Sequence, residues 1–428
     1  MSPMENTPAN PVRVSDSRPV LPNGFKASGI HAGIRRKGTR LDLGLIVAEE
    51  AFPAAAVYTQ NRLTGAHVGE CKRSLAKTGG KVRALLVNSG NANCSTGPEG
   101  VADARRIQGA CAELIGCPAE EVLFLSTGVI GARLPAEKIL DALPALTSSA
   151  SASGLGEFSQ AIMTTDLVPK VRTVKVEDRS GAPFRVTGVS KGSGMIHPNM
   201  ATMFGFLLSD APAPRDAQAA LKELAARSFN RVTVDGDTSP NDTVVLWCSG
   251  AALTAGGWRP ASTVGSGAGP SWNGTQSELF RSALLQVSQE LCRAIATDGE
   301  GATRLVTVEV KGAPSEEAAA HVARTIATSP LTKTAVHGRD PNWGRILAAA
   351  GRSGVEFDVD RARVWIGEAD VYSGGKPHPE NEGVAHLHLL QNHEVVLGID
   401  LAAGSASAEA WTCDFSADYV RINADYRS

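Results

Sequence analysis

"KGSGMIHPNMATMFGFLLSD", residues 191–210, runs a Gly-rich polar turn ending in His197-Pro198-Asn199 straight into Ala201-Thr202 and an apolar strand. A plain loop-to-strand junction has no need of a small residue followed by a hydroxyl at the strand's first position. A chain that cuts itself at that bond, and then uses the new threonine, needs both. Threonine is a catalytic nucleophile when its own α-amine is free to act as the base. In a short peptide that amine titrates near pH 8, roughly where a general base should sit at neutral pH. An internal threonine carries an amide there instead, so activation requires cleavage of the Ala201–Thr202 bond. Attack of the Thr202 hydroxyl on the Ala201 carbonyl, moving the acyl group from nitrogen to oxygen, is one route. Most threonines that open a strand are there for β-propensity, however. A histidine before proline in a turn, such as His197, is more often a structural hydrogen-bonder than a base. On this chemistry alone, Thr202 as a nucleophile stands beside those plainer readings.

Outward from this junction the chain is rich in short β-branched or aromatic runs bounded by Gly, Asn, Asp or Pro, which predict strands. They are 83–90, 122–128, 172–178, 201–210, 230–237, 242–250, 304–312 and 394–401. Helical patterns lie between them, the clearest over 276–297, where Phe280, Leu284, Val287, Leu291 and Ile295 share one face. Others cover about 99–115, 135–148, 214–228 and 315–327. The mixture is α/β, and neighbouring strands are often too close for a helical crossover, so mixed rather than purely parallel sheets are expected. Residues 251–273, rich in Gly, Ser, Ala and Pro, read as a long surface connection. Neither a phosphate-binding GxxxxGK[ST] nor a dinucleotide GxGxxG pattern is present.

Composition narrows the function classes. The chain has 428 residues, 43% hydrophobic and 20% charged, the profile of a globular protein with room for two or three domains. A net charge of −2 argues against a nucleic-acid partner, which normally requires a basic face. Seven scattered cysteines without a CxxC pair suit reduced thiols and a cytoplasmic location. No apolar run approaches the roughly 18 residues of a membrane span, and the Pro/Asn/Ser-rich residues 1–20 read as a flexible tail rather than a secretory signal. "HLH" at 386–388, with His393 nearby, raises a metal site; residues two apart would share one strand face. No third ligand stands at a convincing spacing, so no metal is expected.

The 191–204 stretch resembles the signature of the ornithine acetyltransferase (glutamate N-acetyltransferase) family of the arginine-biosynthetic acetyl cycle. The likeness runs from about residue 21 to the last residue. It includes "LVNSGNANCSTG" (86–97), "FLSTGVIG" (124–131), "AIMTTD" (161–166), "SFNRVTVDGDTSPNDT" (228–243), "IATDGEGATRL" (295–305), "KTAVHGRDPNWGRI" (333–346) and "YVRINADYRS" (419–428). Residues 1–20 and 251–273 fall outside it. The resemblance implies an αββα-like sandwich, self-cleaved between Ala201 and Thr202 into an alpha chain (21–201 beyond the tail) and a beta chain (202–428) that stay associated, with a higher oligomer of the pair. It implies a ping-pong reaction in which Thr202 takes the acetyl group from N2-acetylornithine and passes it to glutamate, without a metal or other cofactor. Whether acetyl-CoA also serves as donor is left open.

The same resemblance implies roles for particular residues. Thr127 and Gly128 would form the oxyanion hole, although the plain reading of "STG" is an ordinary glycine turn. Lys191 and Glu300, which read by themselves as solvated loop charges, would bind substrate, as a cation for an α-carboxylate and an anion for an ammonium group. Thr165 corresponds to a further substrate contact, with Thr164 adjacent and the register uncertain by one. Asn423 and Ser428 would be ligands carried on an ordered C-terminal tail; a docked structural tail is the plain alternative. For the 337–346 block the default is packing or subunit contact. A self-processed aminopeptidase or amidohydrolase of similar fold, with water as acceptor, is the nearest enzyme alternative. A non-catalytic binding protein with Thr202 left internal is the alternative of another class.

Overall fold

The computed structural model describes residues 19–35, 38–177, 183–197, 203–252 and 274–425. Residues 1–18 of the expected tail (1–20) and most of the 251–273 connection lie outside the described residues, as do Ala201, Thr202 and Ser428. The fold is mixed α/β, with two mixed sheets and helices.

The first sheet has the order β4-β3-β2-β8-β7-β6-β5, with β1 (Phe25–Ile30) paired to the start of β2 (Leu43–Tyr58). Strand β2 is long because it belongs to two layers. Its first half pairs β3 (Lys81–Asn88), which continues in parallel to β4 (Val122–Ser126). Its second half, beyond a register shift between Val47 and Phe52, pairs β8 (Thr243–Cys248). From β8 the sheet runs in parallel to β7 (Phe204–Ser209), then antiparallel to β6 (Phe184–Lys191) and β5 (Lys170–Val176). The side-chain period of two makes this a sandwich. In β8, Val244, Leu246 and Cys248 join one core with α5 (Ala217–Ala226) and α6 (Gly274–Thr297). The alternate residues Val245 and Trp247 join another core with Phe25, Ile46, Leu85 and Leu123 of the first half. A third core lies outside that half, where Leu43, Leu86 and Phe124 meet α2 (Gly97–Ile115) and α3 (Ala136–Ser148). The layers are therefore helix, sheet, sheet, helix. Strands buried on both faces need near-continuous apolar runs, and each large side chain so buried contributes about 1.5–3 kcal/mol.

The second sheet lies wholly in the C-terminal part, in the order β12-β11-β10-β13-β9-β14, with β11 (Ala369–Ser373) and β12 (Lys376–Pro377) at one edge. Its centre is the parallel pair β9 (Leu305–Ala313) and β13 (Glu394–Asp400), flanked by β14 (Ala406–Cys413) and β10 (Arg363–Ile366). Helices α7 (Glu316–Ala327), α9 (Trp343–Gly351) and α10 (Glu382–Gln391) share its core. Helix α6 packs against β5, β6 and β14 and so joins the two sheets. Its expected face is buried: Phe280, Leu284, Val287, Leu291 and Ile295 are all at most 2% exposed.

Two expectations are corrected. Residues 230–237 are not a strand. The backbone of Thr233 donates to Trp411 and that of Val234 to Ile196, so consecutive groups bond to different segments and no ladder forms. "HLH" lies on helix α10, not on a strand, and its histidines bond the backbone: His386 Nδ1 stands 2.9 Å from the Arg339 carbonyl, and His388 Nε2 accepts from the Val396 N–H at 3.1 Å. Among the described residues, no group of three or more His, Cys, Asp or Glu is placed to hold a metal, and no helix is long and apolar enough to cross a membrane.

Candidate active site

The sandwich brings the C-terminal end of β4 against the ends of β6 and β8. Beyond β4 the chain turns at Thr127-Gly128. Gly128 has φ +132°, and a Cβ there would lie 2.4 Å from the Gly90 carbonyl carbon, so only glycine fits. The Thr127 N–H donates to the Asn88 carbonyl at 3.0 Å. Asn241, just before β8, donates to the Ala92 and Ser126 carbonyls at 2.5 and 2.6 Å, tying β8 to the base of the same turn.

Lys191 closes β6. It is 8% exposed, and its ammonium stands 3.3 Å from Thr127 Oγ1. Burial pushes its pKa down and the Lys170 ammonium adds to that, against the pull of Asp166, Asp242 and Glu300. The strand register sets Lys191 opposite Phe204, and Phe204 opposite Thr243. Met203, which directly follows Thr202, accepts the Thr243 N–H at 3.1 Å. The polar turn and β7 flanking the Ala201–Thr202 bond are thus anchored on this row.

The turn after Lys191 is held from below by a buried ion triad that no local pattern in the sequence marks. Lys170, 1% exposed, donates to Asp166 Oδ1 at 2.7 Å and to Asp298 Oδ2 at 2.6 Å. Asp166 Oδ1 also accepts the Gly192 N–H at 2.6 Å, and its Oδ2 accepts the Thr164 N–H at 2.8 Å. Asp298 accepts the Leu167 N–H at 3.1 Å, and its carbonyl accepts the Ser193 hydroxyl at 2.6 Å. Three segments named by the sequence, around Thr165, Lys191 and Glu300, are therefore fastened to one ammonium group. Burial alone would raise the Asp166 carboxyl; the Lys170 and Lys191 ammonium groups overcome it and hold it well below the usual carboxylate range.

Glu300 stands where the chain leaves α6. Its N–H donates to the Ser193 carbonyl at 2.9 Å, and its Oε2 accepts from Asn423 Nδ2 at 2.8 Å. A Cβ at Gly194 would lie 2.3 Å from the Glu300 carboxylate, so that glycine makes room for it. Asn423 is carried on α11 (Ala417–Asp425). Thr165 is half-buried beside Asp166; its neighbour Thr164 uses its N–H, and more weakly its hydroxyl at 3.5 Å, on Asp166 Oδ2. The Thr165 hydroxyl makes no hydrogen bond among the described residues.

Two further groups complete the surroundings. Asp242 is 2% exposed, its Oδ2 has no partner among the described residues, and burial raises its carboxyl well above the usual range. His197 is fixed between Thr233 Oγ1 at 3.2 Å and Arg324 at 2.9 Å, and burial with the Arg324 cation lowers its pKa to about 4. Arg324 has only protons to give, so His197 Nε2 is the acceptor. That is the bonding of a structural histidine. The Lys170–Asp298 bond that joins these segments had no signal in the sequence, because the two residues are 128 positions apart.

Comparison with known proteins follows the same lines. The family model of ArgJ matches residues 26–428. The chain is 44% identical over 409 residues, 95% of its own length and 94% of the relative's, to the arginine biosynthesis bifunctional protein ArgJ of Parasynechococcus marenigrum (strain WH8102). It is 42% identical over 413 residues to the chloroplastic arginine biosynthesis bifunctional protein ArgJ of Populus trichocarpa, covering 94% of this chain and 82% of that one. Among solved structures, the arginine biosynthesis bifunctional protein argJ of Bacillus halodurans aligns at 38% identity with a TM-score of 0.46, covering 52% of this chain and 98% of that one. The ornithine acetyltransferase of Mycobacterium tuberculosis complexed with ornithine aligns at 37% identity with a TM-score of 0.41, covering 44% and 100%. With a family model spanning nearly the whole sequence and relatives matched over most of both lengths, the chain belongs to the ArgJ family.

Proposed function

We propose that the enzyme cleaves itself between Ala201 and Thr202 and then carries an acetyl group from N2-acetylornithine to glutamate through an acetyl-threonine at Thr202. The observation that carries this reading is the pairing of opposite charges in one site: the buried Lys191 ammonium against Thr127, and the Glu300 carboxylate against Asn423. A cation for an α-carboxylate and an anion for an ammonium group are what an amino-acid substrate requires. In the first half-reaction the Thr202 hydroxyl attacks the acetyl carbonyl and its proton passes to the Thr202 α-amine. Thr127 and Gly128 steady the oxyanion, each such donor being worth about 2.7–4 kcal/mol. The intermediate collapses, the departing ornithine nitrogen takes the proton back, and the acetyl ester remains. Glutamate then enters, its amine attacks the ester, and Thr202 leaves as a hydroxyl.

Lys191, Glu300, Thr165, Asn423 and Ser428 form the substrate-binding set in this reading. The relatives' designation as bifunctional favours acetyl-CoA as a second donor. Action in the cytoplasm belongs to the same reading; its support is seven unpaired cysteines, six of them buried. The test is isotope exchange on purified enzyme: labelled ornithine should enter N2-acetylornithine with glutamate absent. Absence of exchange, with net transfer intact, would replace the acetyl-enzyme by direct transfer. Labelled acetyl-CoA in a parallel reaction tests the second donor.

A further inference from the structure

Helix α8 (Pro330–His337) carries two side chains that bond the end of β14 and the residue that follows it. Lys333 and His337 are one turn apart and share a face. Lys333, 4% exposed, gives its ammonium to Thr412 Oγ1 at 2.7 Å and to the Cys413 carbonyl. His337 Nδ1 stands 2.7 Å from Asp414 Oδ2. The Asp414 carboxylate, fully buried, also accepts the Thr303 N–H at 2.7 Å, the Thr303 hydroxyl at 2.6 Å and the Arg304 N–H at 2.9 Å. Burial would raise this carboxyl; the Thr303 donors and His337 hold it below the usual range, so it is an anion and His337 Nδ1 is the donor.

Asp414 sits between the two halves of the Glu300–Asn423 pair. On one side its bonds to Thr303 and Arg304 close the short segment on which Glu300 stands. On the other side it precedes α11, which carries Asn423, and Ser416 between them donates to the Gly301 carbonyl at 2.6 Å. An ionised carboxyl offers about four acceptor positions. Three are taken by the Glu300 segment, and His337 supplies the fourth from outside it. The His337 side chain is 41% exposed, so it adds little burial to the core, while the buried Lys333 already tethers the helix to β14.

We propose that His337 is a positioning residue for the acetyl donor: its bond to Asp414 fixes the placement of Glu300 relative to Asn423. The proposal rests on the reading of Glu300 as the ligand of the substrate ammonium group. His337 touches neither substrate nor the reacting atoms and acts through Asp414.

The test compares His337→Ala, His337→Asn, Glu300→Gln and the Glu300→Gln/His337→Ala double variant as full-length enzymes. Each is checked by denaturing gel for two chains, by melting temperature, and by steady-state kinetics with N2-acetylornithine. His337→Ala should raise the KM for N2-acetylornithine about three- to tenfold with kcat within about twofold, the size of a lost bond to a charged group that is partly open to water. His337→Asn, whose amide nitrogen falls near the place of Nδ1, should restore KM. In the Glu300→Gln background the His337→Ala penalty should vanish, because both changes act on one contact. An unchanged KM in His337→Ala while Glu300→Gln weakens binding would overturn the proposal and leave the Glu300 reading standing. Additive penalties in the double variant, or failure of His337→Ala to fold, would overturn it too by assigning His337 to stability. An unchanged KM in Glu300→Gln would remove the Glu300 reading itself, and the proposal with it.

Discussion

Replacing Lys170 by methionine should destabilise the protein by about 3–5 kcal/mol, the cost of removing one partner from a buried ion pair. The side chains involved are 1%, 0% and 6% exposed, so water cannot take over the role of the ammonium. Its bonds of 2.7 and 2.6 Å leave the Asp166 and Asp298 oxygens facing each other when it is gone. Two carboxylates about 5 Å apart repel by about 3 kcal/mol at an effective dielectric of 20, which accounts for most of the loss. The pH dependence carries the diagnosis. With Lys170 present the Asp166 pKa is depressed, so its contribution is present above the unfolded value of about 3.9 and is lost only as pH falls below that. In Lys170→Met, burial and the facing Asp298 oxygens should outweigh the remaining Lys191 ammonium, and the sign reverses: the folded pKa rises above the unfolded value, and stability is lost as pH increases. The apparent melting temperature of the variant should fall about 3–6 °C below that of the parent at pH 8 and by clearly less at pH 5, read by circular dichroism at matched ionic strength. A deficit that is the same at both pH values, or smaller than about 1 kcal/mol, would refute the electrostatic account, since lost packing alone does not titrate.

Thr202→Ala should give an uncut, inactive 428-residue chain on a denaturing gel, and Thr202→Ser should retain some cutting; mature two-chain protein from Thr202→Ala would sink self-cleavage. Gly128→Ala should lower kcat by about a hundredfold or more, because a Cβ at φ +132° meets the Gly90–Asn91 backbone and displaces the turn; a variant with normal turnover would take that turn out of the reaction. Removing Asn423–Ser428 should leave the chain cut but slow in transfer, since a displacement of about 1 Å can cost a hundredfold. Normal kinetics with a lower melting temperature would show the tail to be merely docked.

Much of the layered fold could be read from the sequence because its strands are short, β-branched and punctuated. Residues 122–126, 243–248 and 394–400, and the helix over 274–297, lie where periodicity puts them. Strand β2 was hidden. Its middle, "VAEEAFPAA", places exposed Glu49 and Glu50 and then a proline where a strand pattern should continue, because the chain shifts register there as it passes between layers. Residues 230–237 mislead in the opposite direction. Val232 and Val234 alternate like a strand because they are wedged beside Trp411 and Ile196, not because they pair in a ladder. In the site, Thr127, Gly128, Lys191, Glu300 and Asn423 were marked by likeness to a family, and the structure adds why they stay in place. That part was not legible: the Lys170–Asp298 and His337–Asp414 bonds span 128 and 77 positions, and no local pattern records such a distance.

Strands β7 and β8 follow the Ala201–Thr202 bond, yet β7 pairs with β6 and β8 with β2, both of which precede it. The bond therefore crosses a sheet already woven from both sides, which has a consequence for biogenesis. A fragment beginning at residue 202, made alone, would expose two raw strand edges at once and tend to aggregate. On the proposed scission, folding would have to come first and cutting second, so each molecule would supply its own matched halves in equal number. Dilution should not part them, because no encounter between separate chains ever set their pairing.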